Sequence, residues 1–140
     1  MRYRKIGFLF RAWLRQWGPA VIIMGIIFLA SSTPGGNLPD FGAWDVDVKK
    51  GGHILGYALL GAAYLHGLTK GKSATRLQWV LAICLAVIYS ISDEFHQSFI
   101  PERSPSLGDL LIDTIGAASG LGIWTFIRMR FLDLHKATNV

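Results

Sequence analysis

Residues 107–127 read LGDLLIDTIGAASGLGIWTFI, a run of 21 positions whose only charges are Asp109 and Asp113. A helix needs roughly 20 mostly apolar residues to cross the hydrocarbon layer of a bilayer, so this run has the length of a membrane span. Three other apolar stretches, residues 17–31, 52–68 and 77–91, repeat the pattern at shorter length. None carries the unbroken polar stripe of a helix on the outside of a soluble bundle. The chain of 140 residues is 51% hydrophobic and 16% charged, which sets it apart from an ordinary soluble domain of that size. The sequence therefore predicts an all-α integral membrane protein, a four-transmembrane-helix bundle with helices at about 17–32, 51–68, 77–97 and 107–127.

The net charge of +5 raises nucleic acid as a partner, and the placement of the basic residues argues against it. Arg2, Arg4, Lys5, Arg11 and Arg15 precede the first span; Lys70, Lys72 and Arg76 separate the second and third; Arg128, Arg130 and Lys136 follow the fourth. Only Lys49, Lys50 and Arg103 fall in the other two loops. Eleven of the 14 basic residues thus lie on one side, and the positive-inside rule places both termini in the cytoplasm. The expected surroundings are a lipid bilayer, with no nucleic acid.

The flanks divide the chain into three parts. Residues 1–16 mix basic residues with Phe10, Trp13 and Leu14 at helical spacing, the pattern of an amphipathic segment on the inner leaflet. Residues 17–127 form the membrane domain, and residues 128–140 a basic cytoplasmic tail. Pro19 suits the first turn of the first span. That span has some features of a cleavable signal, but its basic stretch is long and its small-residue site poor, so it is read as retained. Gly116 and Gly120 form a G-x-x-x-G, a sign of close helix packing. The lone Cys84 falls mid-span and excludes an intrachain disulfide.

The informative residues are those that hydropathy does not call for. Lys50, His53 and Tyr57 are spaced i, i+3, i+7 and share a face at the start of the second helix. Asp93, Glu94, His96 and Gln97 end the third. Asp109 and Asp113 open the fourth, i and i+4 on one face, after the tight connection FIPERSPS at 99–106. With the second and fourth helices running inward and the third outward, these groups meet at the extracytoplasmic leaflet. Asp113 should lie about 6 Å deeper than Asp109. A carboxylate facing lipid there would cost on the order of 3 kcal/mol, so Asp113 must face the bundle, find a partner or be protonated.

Several readings of the cluster remain open. Pairing among Lys50, His53, Arg103 and the acids, including an Arg103–Glu94 clamp, would fix helix packing with nothing bound. A binding module would use Arg103, Lys50 and His53 on an anionic headgroup or lipid-linked envelope precursor. A membrane-embedded enzyme would use Asp93 or Glu94 as acid or base and Arg103 as an anion clamp on a lipid-linked phosphate or sugar. His53, Asp93, Glu94, His96 and Asp113 have suitable donor types for a metal, but no established motif arranges them, so no metal and no cofactor is expected. Ser90, Ser92 and Ser98 make no nucleophilic triad, and His66 and His135 are read as incidental. No repeat or polar stripe suggests a transporter.

The ordered set Lys50-x-x-His53-x-x-x-Tyr57, Asp93-Glu94-x-x-Gln97, Pro101-x-Arg103 and Asp109, closed by Gly116, resembles the VanZ-like family, small bacterial membrane proteins named after an accessory factor of teicoplanin resistance. Ser31-Ser32-x-Pro34 is also similar to the family, and the resemblance spans about residues 30–120. It departs at Asp113, where the family usually has asparagine. The resemblance implies a multi-pass protein of the bacterial cytoplasmic (inner) membrane with an envelope-related accessory role, reduced susceptibility to glycopeptides such as teicoplanin being the phenotype it suggests. It supplies no reaction.

Overall fold

The computed structural model describes the backbone of residues 2–70 and 72–137, with side chains for residues 6–70 and 72–131. Four α-helices follow in order: α1 (Arg2–Ser31), α2 (Asp45–Thr69), α3 (Arg76–Gln97) and α4 (Leu107–Ala137). Two single 3₁₀ turns, Gly35–Asn37 and Gly42–Trp44, lie in the connection between α1 and α2. Local chemistry sets the boundaries. Asp45 and Asp47 stand in the first turn of α2, where negative charge suits the helix dipole, and draw its start ahead of residue 51. Thr75 and Gln78 form a reciprocal capping box that starts α3 at Arg76.

Helix α1 runs unbroken through Pro19, joining the basic N-terminal segment to the first apolar stretch in one helix. Proline removes the donor that would meet the carbonyl four residues back, here Arg15. His66 Nε2 lies 3.3 Å from that oxygen, so a neighbouring helix supplies the missing partner. The side chains of Arg2, Arg4 and Lys5, and those of residues 132–140 in the basic tail, lie outside the described residues.

The tightest seam is between α2 and α4, and it is parallel: Gly116 abuts Ile54 and Gly120 abuts Ala58. A Cβ on Gly116 would stand 2.6 Å from the Ile54 carbonyl oxygen, and one on Gly120 would overlap the Ala58 carbonyl outright. Gly61 returns the arrangement from α2, where a Cβ would lie 2.6 Å from the Ala117 carbonyl oxygen. Glycine on both helices is thus what lets the two backbones touch. Helix α1 packs antiparallel on α2, with Trp17 over Gly67 and Ile27 beside Gly56. The core is built from Tyr57, Leu60, Leu65, Ala82, Ala86, Ala117 and Leu121, mostly large residues of α2 against small ones of its neighbours.

Large apolar side chains such as Ile22, Leu29, Ile88, Ile115 and Ile123 point outward, as a lipid-facing surface requires. Among the described residues three helical stretches are long and apolar enough to cross a membrane: Ile6–Ser31, Arg76–Gln97 and Leu107–Phe131. Helix α2 is not among them: Asp45, Asp47, Lys49 and Lys50 stand at its start, and glycines, histidines and tyrosines interrupt the apolar run beyond. The helix contacts α1, α3 and α4, so much of its surface meets other helices.

Candidate functional site

The helix directions bring the ends of α1 and α3 and the beginnings of α2 and α4 to one end of the bundle. Because glycine lets α4 lie directly on α2, the first turns of the two helices face each other there. His53 Nδ1 lies 3.0 Å from Asp113 Oδ1, and Ser90 Oγ donates to Asp113 Oδ2 at 2.5 Å. Asp113 is only 1% exposed, so both oxygens of a buried carboxylate are partnered from two different helices. The His53 ring stacks nearly parallel to Tyr57, at 6.5 Å between centroids. The Tyr57 hydroxyl is buried and without a partner among the described residues.

A second polar layer joins α3 to the end of α1. Asp93 Oδ2 accepts from Ser31 Oγ at 2.8 Å and from Gln97 Nε2 at 3.0 Å, while its Oδ1 is buried without a partner. Beside it, His96 Nε2 lies 3.0 Å from Ser32 Oγ, with its ring stacked on Phe28.

The third layer lies in the connections. Arg103 Nε donates to the Thr33 carbonyl at 3.2 Å and Nη2 to the Ala30 carbonyl at 3.1 Å. Glu94 Oε2 accepts from the Ser106 backbone N–H at 2.6 Å, just ahead of α4. The Arg103–Glu94 pair is therefore not formed. Each charge is drawn instead to a helix end of opposite dipole, the cation to carbonyls in and just after the last turn of α1 and the carboxylate to the amide that precedes α4. Gly35 N donates to the Pro101 carbonyl at 3.1 Å and holds the two connections together, so closely that a Cβ on Gly35 would overlap the Glu102 carbonyl.

These layers leave a cavity of about 250 Å³ between α1 and α2. Lys49, His53, Tyr57 and Arg103 supply its polar wall and Ile26 and Ile27 its apolar one; no acidic side chain lines it. Lys49 is held 2.6 Å from Asp45 across one helical turn. Lys50 is exposed and outside the cavity, and Asp109 is half-buried in the first turn of α4. Glu94 borders a different recess, with Ile91, Pro105 and Leu110. Among the described residues no group of three or more His, Cys, Asp or Glu comes together as a metal site.

The sequence names Lys50, His53, Tyr57, Gln97, Arg103 and the four acids; it does not single out Lys49 or Ser106, nor give Ser31 and Ser90, both noted in it, their carboxylate partners. Lys49 was in principle visible, being i, i+4 to His53 where Lys50 is i, i+3; spacing alone does not choose between them. The serines carry no such signal.

Apolar, outward-facing helices with ionisable side chains buried at one end define the class: an all-α, multi-pass membrane protein, in keeping with a place in the bacterial inner membrane. Within that class a family model described as VanZ/LLP1 matches residues 16–128. The chain belongs to the VanZ/LLP1 family. No curated protein and no solved structure gives a match.

Proposed function

We propose that the chain crosses the membrane four times with both termini in the cytoplasm, and that it serves an envelope-related accessory role by binding an anionic headgroup at the extracytoplasmic leaflet. Four crossings keep eleven of the 14 basic residues on one side, whereas three would split them. The family membership supports a role in the cell envelope, with lowered teicoplanin susceptibility as its readout. The division into an N-terminal basic segment, a membrane domain and a basic tail belongs to the same proposal.

One observation carries the binding reading: Lys49, His53 and Arg103 line the cavity between α1 and α2, and Arg103 among them is held by carbonyls, whereas Lys49 and His53 are paired with Asp45 and Asp113 behind the lining. Arg103 spends two donors on the carbonyls of Ala30 and Thr33 and has three more N–H groups for an anion. The enzyme reading asks Arg103 to meet Asp93 or Glu94 at one substrate; Asp93 is outside the cavity lining and engaged with Ser31 and Gln97, which leaves Glu94 and Arg103 as the pair to compare. They border separate recesses, which favours binding over catalysis by that pair.

The test is teicoplanin susceptibility of a sensitive host carrying wild type, Arg103→Ala, Glu94→Gln or no insert, with membrane levels matched. Wild type and Glu94→Gln should protect, and Arg103→Ala should not. Protection lost with Glu94→Gln but kept with Arg103→Ala would reverse the assignment and point to acid–base chemistry.

A further inference from the structure

The cavity has an asymmetry that narrows its ligand. Its cations stand at the end of the bundle, while the wall that continues toward the middle of the bundle is Ile26, Ile27 and the bare backbone of Gly56. Gly52 lies in the lining and is exposed, and a Cβ built on it would meet nothing within 4 Å. The gap between α1 and α2 is thus open at Gly52 because no side chain is there to fill it. On the α1 side its neighbours Ile22, Ile26 and Leu29 are outward-facing, continuous with the surface assigned to lipid. A water-soluble anion has no use for an apolar trough running away from the cations. A phosphate carried on a hydrocarbon chain would use both.

We propose that the site takes a phosphate borne on a lipid, which enters sideways between α1 and α2, with the phosphate at Lys49, His53 and Arg103 and the chain along Ile26, Ile27 and Gly56, and that Gly52 keeps this entrance open. The proposal rests on the headgroup-binding reading above and goes further in naming the ligand class, the route and a residue that controls it. Arg103, which meets only carbonyls, supplies the main attraction, while Lys49 and His53 face the cavity with Asp45 and Asp113 as their present partners. Tyr57, whose buried hydroxyl lacks a partner, forms the floor next to His53. The hydrocarbon chain is already out of water in the bilayer, so it acts by keeping the phosphate concentrated at the depth of the cavity rather than by burying further apolar surface.

The proposal is tested on the full chain in maltoside micelles by titrating hexadecyl phosphate, hexadecanol and inorganic phosphate against wild type, Gly52→Leu, Gly51→Leu and Arg103→Gln. Gly51 is the control, since a Cβ there also meets nothing within 4 Å and the residue does not line the cavity. Thermal melts of each variant confirm the fold. Wild type should bind hexadecyl phosphate, with hexadecanol and inorganic phosphate each weaker by about tenfold or more, the first for want of a charged hydrogen bond and the second for want of a chain that concentrates it in the micelle. Gly52→Leu should lose about tenfold while Gly51→Leu stays within about twofold. Arg103→Gln should weaken the lipid phosphate toward the alcohol.

Equal binding of inorganic phosphate would make a soluble anion the ligand and overturn the lipid route while leaving the anion site in place. Unchanged binding by Gly52→Leu would overturn the entrance. Equal binding of hexadecanol, or no binding of either phosphate by wild type, would remove the anionic-headgroup reading itself, and this proposal with it.

Discussion

His53 Nδ1 and Asp113 Oδ1 stand 3.0 Å apart across the parallel seam of α2 and α4, and Ser90 from α3 closes on the other oxygen of the same carboxylate. Three helices are pinned at one buried atom group, which makes Asp113 a place where packing and site cannot be separated by inspection but can be by substitution. Asn at 113 still offers an oxygen to Ser90 and an N–H₂ to an unprotonated His53 nitrogen, so Asp113→Asn should melt within about 1 kcal/mol of wild type. Asp113→Leu leaves Ser90 and His53 without their partner and should cost about 2–3 kcal/mol, the lower part of the range for a broken buried pair because His53 is partly exposed. Thermal denaturation in detergent measures both. Equal losses for Asn and Leu would show that the carboxylate charge, not its hydrogen bonding, holds the three helices.

The glycines of the same seam give a sharper steric prediction. A Cβ at Gly120 would overlap the Ala58 carbonyl, a backbone atom that cannot swing aside, whereas one at Gly122 would meet nothing within 4 Å. Gly120→Ala should therefore destabilise by about 3 kcal/mol or more, as overpacking against backbone does, while Gly122→Ala gains slightly in helix propensity. The comparison of folded yield and melting temperature between two alanines two residues apart isolates the contact. Similar behaviour of both would mean that α2 and α4 do not approach this closely.

These contacts also show where reading the sequence succeeds and where it stops. The third helix is read at residues 77–97 and found at Arg76–Gln97, and the fourth is read to begin at 107 and begins at Leu107, since hydropathy and capping agree there. The meeting of His53 with Asp113 follows from helix direction alone, which fixes which ends share a bundle face. The second helix is less plain because charged residues open it and histidines, tyrosines and glycines interrupt its apolar run, a composition that accompanies its contacts with all three other helices. Arg103 was the hardest to place. A long cation on a connection can reach a carboxylate or a helix end, and only the fold shows that the carbonyls of Ala30 and Thr33 are nearer than Glu94. Lys49 and Lys50 are equally good by spacing, and the register of α2 against α1 decides between them.

Pro19 and His66 offer a test of how α1 stays continuous. If His66 answers the carbonyl that proline leaves open at Arg15, its removal should matter only while the proline is present. His66→Ala should cost about 1 kcal/mol in wild type, including the edge contact of His66 with Trp124, and measurably less when Pro19→Ala restores the helical donor. The double-mutant cycle, read from melting in detergent, gives the difference directly. A coupling energy of zero would assign the role of His66 to its aromatic contact alone.

The sharpest consequence of the four-crossing proposal concerns α2. With four crossings, the connection between α1 and α2 and the connection between α2 and α3 lie on opposite sides of the membrane; if α2 stayed on one side, both would share it. Asp40 and Lys72 are exposed positions in these two connections, and Cys84 is the chain's only cysteine, so Cys84→Ser gives a background free of thiols. On that background, Asp40→Cys should react with a membrane-impermeant maleimide applied to intact cells, and Lys72→Cys only after the membrane is opened. The positive-inside rule makes the direction specific, because Lys70, Lys72 and Arg76 surround the second position and no basic residue lies near the first within the 32–44 connection. Labelling of both positions from outside, or of neither, would place α2 on one side of the bilayer and take the cavity between α1 and α2 away from the extracytoplasmic leaflet. Labelling of Lys72→Cys alone would invert the orientation and put the cavity in the cytoplasmic leaflet.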